Sequence, residues 1–261
     1  MIIPTMNTKE QKKKLPFYPK AQVKFYRHCA ELYAKFYLRK HKDLNDIIAE
    51  VKKLSASVGL SDHEYVRLYQ MVRNVKPEYA LECGTGKSTF IIAHAMYKNR
   101  NGKKLVTLEE SDEWAEKQRS SLSYIFSHKK AKDWFPDSVD DLVELILSPV
   151  SIERHRIWDG SAYSNNSNYP FTFIMVDGPK LDDTCFINMD LIKILKRSNI
   201  PIFAWIDGRW ATVAMCRALF GDKVISKLGW THSEIYGATR EDLFKPKGLI
   251  AREMFKMVKH L

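Results

Sequence analysis

The stretch that decides the fold is residues 79–92, Tyr-Ala-Leu-Glu-Cys-Gly-Thr-Gly-Lys-Ser-Thr-Phe-Ile-Ile. A short apolar run at 79–83 precedes two glycines, Gly84 and Gly86, and a longer apolar run follows at 87–97. This pattern indicates a buried strand, a tight turn and a helix. In an open α/β sheet ligands lie beyond the carboxyl ends of the strands, so this turn should be close to a ligand. Glycine there leaves room for the ligand and permits a positive φ.

Apolar runs and helical stretches keep alternating after this turn. We predict strands at 104–108, 142–147, 171–176, 200–206 and 224–228, and helices at 112–126, 183–196 and 211–220. Strands that alternate with helices of this length indicate βαβ units. The predicted fold class is therefore α/β, a Rossmann-like, doubly wound and mostly parallel sheet. The tail at 249–258 could add one edge or antiparallel strand.

The N-terminal quarter has a different pattern. Residues 1–19 combine three prolines with lysines, which is typical of a flexible lead-in. Apolar residues recur at helical spacing in 20–40, 44–54 and 61–74, and Ser61 and Glu64 have the spacing of a capping box. We predict a basic lead-in at 1–19, a helical extension at 20–75 and a Rossmann-like domain at 76–261.

Charge and cysteine content narrow the choice of partners. The formal net charge is +11, and residues 1–60 hold 13 Lys or Arg against 5 Asp or Glu. Such a face suits nucleic acid, an anionic glycan or an acidic protein, or is simply a solvated helix face. The four cysteines form no C-x-x-C pair, so neither a zinc site nor a disulfide framework is indicated. No apolar stretch approaches the roughly 18 residues of a membrane span, so we expect a cytoplasmic protein without a membrane partner; the oligomeric state is not predicted.

Three kinds of ligand could use the glycine turn. A Walker A phosphate loop would need its first glycine at Leu81, inside the strand, and a dinucleotide site would need a third glycine at Thr89. S-adenosylmethionine has no pyrophosphate, so two glycines suffice for its methionine part to pass. A carboxylate about 20 residues farther on, at a strand end, can accept both hydroxyls of a ribose. Glu109 lies 23 positions after Gly86.

Two segments resemble class I S-adenosylmethionine-dependent methyltransferases. Residues 82–89, Glu-Cys-Gly-Thr-Gly-Lys-Ser-Thr, are similar to motif I of that family in its E-x-G-x-G-x-S-T form. Residues 105–115 resemble its second strand, which ends in an acid that binds the ribose. The residues that the resemblance implies as cofactor contacts are Glu82, Gly84, Thr85, Gly86, Ser88, Thr89, Glu109, Asp177 and, near adenine, Ser148. Three further acids, Glu110, Asp112 and Glu113, should favour the first turn of the next helix.

The acceptor side of the site is indicated by Asp177-Gly178-Pro179. This run resembles the D-G-P form of motif IV in methyltransferases that act on sugar and glycan hydroxyls, including macrocin-type O-methyltransferases and plant glucuronoxylan methyltransferases. Thirty positions later the next strand ends in Asp207-Gly208. The two acids are catalytic candidates: one could be a general base, which requires a raised pKa, or both could chelate Mg²⁺. Catechol-type O-methyltransferases add an Asn to such a metal site, where this chain has Gly208, and Asp207 could also serve only as a turn residue.

The resemblance thus implies a methyltransferase, an enzyme acting on a sugar or another hydroxylated small molecule, with S-adenosylmethionine as cofactor and Mg²⁺ as an additional candidate. Two alternatives stay open. One is a P-loop-like kinase or ATPase, and the other is a nucleic-acid-binding protein or RNA methyltransferase that uses the basic N-terminus. Near the acceptor we consider the loop 158–166, rich in aromatic and amide groups, together with His155 and Arg209.

Overall fold

The computed structural model describes residues 20–54, 59–180, 185–227 and 231–245. The helices in these ranges are α1 (Lys20–Lys40), α2 (Lys42–Lys53), α3 (Asp62–Val75), α4 (Ser88–Asn99), α5 (Asp112–Phe126), α6 (Ala131–Trp134), α7 (Val139–Leu142), α8 (Asp190–Arg197) and α9 (Trp210–Phe220). Two 3₁₀ turns span Gly221–Lys223 and Arg240–Leu243. The strands are β1 (Tyr79–Cys83), β2 (Lys104–Glu109), β3 (Val143–Leu147), β4 (Val150–His155), β5 (Trp158–Tyr163), β6 (Phe173–Val176), β7 (Ile202–Asp207), β8 (Val224–Ser226) and β9 (His232–Ala238).

Seven strands form one sheet in the order β3-β2-β1-β6-β7-β9-β8. The first five of these pair in parallel, and β9 runs antiparallel between β7 and β8. In β1, Leu81 lies opposite Val106 of β2 and Ile174 of β6. These strands are almost continuously buried because helices cover both faces of the sheet. The predicted Rossmann-like α/β fold is confirmed.

The N-terminal helices pack on one face of this sheet. Buried side chains of α1, α2 and α3 belong to the same apolar cluster as α4 and as Ala80 and Leu105 of the strands. A second cluster on the other face joins the sheet to α8 and α9. The helical extension therefore shares its core with the sheet, and the boundary at residue 76 stays a prediction. None of the described helices is long and apolar enough to cross a membrane.

The structure differs from the sequence-based expectation in three places. Residues 158–163, predicted as part of a loop, form β5 and pair with β4 in an antiparallel hairpin. The antiparallel strand of the main sheet is β9, which the sequence pattern did not reveal. The helix predicted from residue 183 begins at Asp190. The predicted strand at 249–258 and the lead-in at 1–19 lie outside the described residues.

The start of α3 gives a stability prediction. The backbone N of Ser61 donates to Glu64 Oε2 at 2.9 Å, and the Ser61 hydroxyl donates to the same oxygen at 2.5 Å. Because this capping box satisfies donors at the helix start, we expect Ser61→Ala to lower the free energy of unfolding by about 1 kcal/mol. Urea denaturation would measure this change in the free energy of unfolding. The control is Ser120→Ala, which removes a hydroxyl from the exposed side of α5. Equal stability of the two variants would contradict the cap's contribution.

Candidate functional site

The loops that follow β1 and β6 touch each other through their backbones. Gly84 has a φ of +88°, and a Cβ built there would lie 2.6 Å from the backbone N of Gly178. The backbone N of Asp177 donates to the Cys83 carbonyl at 2.8 Å, and Gly178 N donates to the same oxygen. Gly84 is therefore required by its contact with Gly178 and by its positive φ, and its contact with a cofactor stays a prediction.

Gly86 has a different environment. A Cβ built there would have Ser88 Oγ, 3.9 Å away, as its nearest neighbour. A pocket opens beside this glycine on the side of α4 and α5, lined by Leu54, Thr85, Gly86, Lys87, Phe90, Trp114, Lys117, Gln118 and Ser121. Neither Glu109 nor Asp177 lines this pocket, but Thr85, which lines it, donates its backbone N–H to Glu109.

Glu82 lies behind the glycine loop and holds it in place. Its carboxylate is fully buried and accepts hydrogen bonds from the hydroxyls of Ser88 (2.5 Å), Thr89 (2.6 Å) and Thr107 (2.9 Å). Burial raises the pKa of Glu82 to about 7, although these donors favour the ionised form. Three of the predicted cofactor contacts, Glu82, Ser88 and Thr89, are thus bonded to one another, and they tie the end of β1 to the start of α4.

Glu109 lies beside the glycine loop, at the end of β2. Its Oε2 accepts from the backbone N of Thr85 at 3.4 Å, and its Oε1 accepts from the backbone N of Glu110 and Ser111 at 3.1 Å each. Burial, followed by the negative charge of Glu110, raises the pKa of Glu109. The buried Thr85 hydroxyl has no hydrogen-bond partner among the described residues. A carboxylate and a free hydroxyl therefore meet at the mouth of the loop.

Glu110 connects three segments, a role that the sequence did not indicate. It precedes α5 and does not belong to the first turn of that helix, which begins after the cap residue Ser111. Its carboxylate accepts from the Tyr163 hydroxyl at 2.5 Å and from the backbone N of Lys180 at 2.8 Å. Glu110 thus joins the end of β2 to β5 and to the segment after Pro179. No spacing rule would have distinguished it from its acidic neighbours.

Ser148 lies beside Glu109, but its side chain is occupied. Its backbone N donates to the Glu109 carbonyl at 2.8 Å, and its hydroxyl accepts from the backbone N of Asn165 at 2.9 Å. The side chain is fully buried. Ser148 therefore fixes the segment after β5 next to the end of β2, and its contact with adenine stays a prediction.

Asp177 follows β6 and faces the open end of the sheet. Its side chain is 52% exposed, and Arg209 Nη2 lies 3.9 Å from its Oδ1. Desolvation by the surrounding loops and the negative charge of Asp207 raise the pKa of Asp177 to about 7, against the opposing effect of Arg209. This carboxyl group is thus accessible and titrates near neutral pH.

Asp207 ends β7 on the strand next to Asp177. Burial and the negative charge of Glu64 raise its pKa, and its buried Oδ1 has no hydrogen-bond partner among the described residues. Gly208 follows with a φ of +57°, and its backbone N donates to the Thr231 carbonyl, which continues the pairing of β7 with β9. The two predicted catalytic acids therefore lie at the same sheet edge. No group of three or more His, Cys, Asp or Glu side chains in the described part of the chain is arranged to hold a metal.

Arg209 and two buried polar residues hold the D-G-P turn. The Arg209 guanidinium donates to the backbone carbonyls of Asp177 and of Pro179, the latter at 2.8 Å. From the other side, Asn188 Nδ2 donates to the Gly178 carbonyl and to Asp190 Oδ2 at 3.0 Å. Burial raises the pKa of Asp190 to about 7. Arg209 was a candidate beside the acceptor, whereas Asn188 and Asp190, two polar residues in an apolar run, were missed.

His155 does not belong to this edge of the sheet. It ends β4 at the tip of the hairpin, and burial together with the positive charges of Arg156 and Lys196 lowers its pKa to about 4. Lys196 lies near the end of α8, just before β7 begins, and so at the amino end of the strands. The hairpin therefore places His155 beside Arg156 and Lys196 and not beside Arg209, and a role near the acceptor stays untested.

Comparison with solved structures identifies other chains with this fold. A protein of Klebsiella pneumoniae described as a candidate O-methyltransferase is 16% identical, with 80% of this chain and 96% of that chain covered and a TM-score of 0.51. The SAH-bound methyltransferase PaMTH1 of Podospora anserina is 15% identical, with 86% and 98% covered and a TM-score of 0.50. No protein-family model and no curated protein sequence matches the chain. At these identities the likeness establishes the fold.

The two loop glycines should respond differently to substitution. Gly84→Ala would add a Cβ against Gly178 at a positive φ, so we expect the free energy of unfolding to fall by roughly 2–4 kcal/mol. Gly86→Ala places its Cβ in open space and should unfold at nearly the wild-type denaturant concentration. Urea denaturation of the two variants in parallel would test this, and equal destabilisation by both would contradict the assignment of separate roles.

Proposed function

We propose that the protein is an S-adenosylmethionine-dependent methyltransferase that acts on a hydroxyl group. The observation that carries this proposal is the position of Glu109, whose carboxylate meets the Thr85 amide at the glycine loop. There it can accept hydrogen bonds from both hydroxyls of a ribose, while the space over Gly86 accommodates the methionine part. The fold shared with PaMTH1, an SAH-bound methyltransferase, supports the same ligand class.

The charge of the site favours this cofactor over a nucleoside triphosphate. When bound, S-adenosylmethionine supplies an electrophilic methyl group on a positively charged sulfonium. Glu109 and Asp177 present carboxylates at this edge, and Glu109 occupies the loop amide that a phosphate would use. A triphosphate would meet two acids and a loop of only four residues between β1 and α4. The kinase or ATPase alternative is therefore disfavoured.

Asp177 is the residue that we assign as general base. The bound cofactor would supply the electrophilic methyl group, and the Asp177 carboxylate would take the proton that the acceptor hydroxyl loses as it is methylated. A pKa near 7 suits this role, because the carboxylate is then both substantially ionised at neutral pH and basic enough to take the proton. Arg209, bonded to the Asp177 carbonyl, fixes the backbone that carries the base.

Asp207 would assist by orienting the acceptor. Its buried and unpartnered Oδ1 is a natural acceptor for a ligand hydroxyl, since buried polar atoms normally have a partner. The pair Asp177 and Asp207 could also offer two oxygen ligands to Mg²⁺, with water and substrate completing the shell. Gly208 supplies no third side-chain ligand, so we favour the base assignment. The D-G-P resemblance supports a sugar or another hydroxylated small molecule as acceptor.

Calorimetry would test the cofactor. We expect S-adenosylmethionine and S-adenosylhomocysteine to bind in the micromolar range, and Glu109→Ala to weaken both by roughly 100-fold or more through the loss of two hydrogen bonds to a charged group. Glu113→Ala, an exposed acid of α5, is the matched control and should bind normally. Lys87→Ala should have little effect on cofactor affinity. Tighter binding of ATP than of either compound would refute the proposal.

A methyl-transfer assay would test the assignment of Asp177 as the general base. With a panel of sugars and phenols as acceptors, we expect the rate of S-adenosylhomocysteine release to rise with pH through about 7, since only the deprotonated carboxylate can take the proton. Asp177→Asn should lower that rate about 10²–10⁴-fold, and far more than it lowers the affinity for the cofactor. Inactivation by a chelator and recovery with Mg²⁺ would assign the acids to a metal instead.

A further inference from the structure

The outward surface of α1 is unusually apolar. Five of the fifteen large apolar side chains that are exposed in the described part of the chain lie on this single helix. They are Phe25 (64% exposed), Tyr26 (53%), Leu32 (52%), Tyr33 (55%) and Phe36 (58%). Only Ala34 and Leu38 of the helix are buried against the rest of the protein. Packing onto the sheet therefore does not explain these side chains.

The exposed apolar residues follow one side of the helix. Phe25, Cys29, Leu32 and Phe36 are spaced by four, three and four residues, which places them in one row. At 100° per residue this row lies roughly opposite the buried Ala34, so α1 has two apolar sides. The row extends about 16 Å along the axis, at 1.5 Å per residue. We call these four residues the outer stripe.

The borders of the outer stripe are basic on one side and aromatic on the other. Lys24, Lys35 and Arg39 lie along one border and Tyr26 along the other, together with Tyr33, whose hydroxyl accepts a hydrogen bond from Gln70 of α3. The whole helix has six Lys or Arg and a single acid, Glu31. In addition, Lys40 Nζ lies 4.6 Å from the centre of the Phe36 ring. The stripe is thus bordered by positive charge on one side and by phenol rings on the other, and Glu31, beside Lys35, is the one negative charge of the helix.

The residues along these borders favour some binding partners of the outer stripe over others. In a symmetric antiparallel pair of α1 helices the borders with Lys24 and Lys35 would face each other, and each helix has one acid there, Glu31, against these two lysines. Nucleic acid would match the lysines, but Cys29 and Leu32 at the centre of the stripe offer neither a stacking ring nor a hydrogen bond to a base. A lipid surface matches the apolar stripe and both of its borders. Acyl chains would contact the apolar side chains, headgroups would contact the tyrosines, and anionic phosphates would attract the lysines.

We infer that α1 is a docking element for an anionic lipid membrane surface, on which it lies parallel to the plane of the bilayer. Its inner side stays packed against α3 through Ala34 and Leu38 while the outer stripe enters the headgroup boundary. This placement requires no helix to cross the membrane, and it does not depend on the catalytic function proposed above.

Vesicle co-sedimentation of the full chain tests the inference. We expect binding to phosphatidylcholine–phosphatidylserine vesicles, weak binding to phosphatidylcholine alone, and a loss of affinity as salt is raised. The double variant Lys24→Ala/Lys35→Ala should lose about 30-fold in affinity for the anionic vesicles. Phe25→Ala/Phe36→Ala should lose roughly tenfold or more, because insertion as well as charge is required.

Tyr124→Ala provides the matched control, because it removes a half-exposed aromatic ring from another helix and should bind vesicles like the wild type. Circular dichroism and the melting temperature should show that all variants are folded. The inference is overturned if anionic vesicles are not bound, or if the stripe variants bind them like the wild type. It is also overturned if the stripe variants instead abolish dimers in light scattering or binding to a single-stranded RNA.

Discussion

The functional edge of the molecule depends on one backbone contact, between Gly84 and Gly178. The parallel pairing of β1 and β6 brings the two loops to the same height, and both Asp177 and Gly178 donate to the Cys83 carbonyl. With no side chain on either glycine, the loops approach closely enough for their backbones to touch. The glycine loop and the D-G-P turn therefore behave as one unit, and the ligand-binding and acid–base groups they carry keep a fixed separation.

Several carboxyl groups near this edge of the sheet are removed from water by the surrounding protein. Glu82, Glu109, Asp177 and Asp190 all have raised pKa values, and in each the largest cause is burial. Each ionised form is therefore costly in the folded chain, so stability supplied by these groups is lost as the pH rises through their folded pKa. Arg209 offsets part of this cost at Asp177, and the sulfonium of the proposed cofactor would add a second positive charge beside the exposed Asp177 carboxyl.

Much of the fold followed from local patterns, because helices such as α1 and α5 have apolar periodicity and β1 has a continuous apolar run. The hairpin was missed because Gly160 and Ser161 interrupt its second strand. A side chain at position 160 would collide with the Ile187 carbonyl, which is distant in the sequence, so this position requires glycine.

Among the site residues, the sequence predicted which acids lie at the strand ends, but it did not predict the residues that they bind. The bonds of Glu110 to Tyr163 and Lys180 join segments 53 and 70 residues apart, a distance at which spacing carries no information.

The insertion of β9 between β7 and β8 constrains how the sheet is completed. During synthesis β8 leaves the ribosome before β9, yet its partner in the sheet is β9 and not β7. Until residues 232–238 have emerged, β7 is an open edge with unpaired backbone groups, which is a template for wrong pairing. The guanidinium of Arg67, in α3, donates two hydrogen bonds to the Glu234 carboxylate of β9, at 2.6 and 2.7 Å. Strand β9 is thus bound by α3, an early helix of the chain, so a nascent chain cut short before Ala238 would expose the edge of β7.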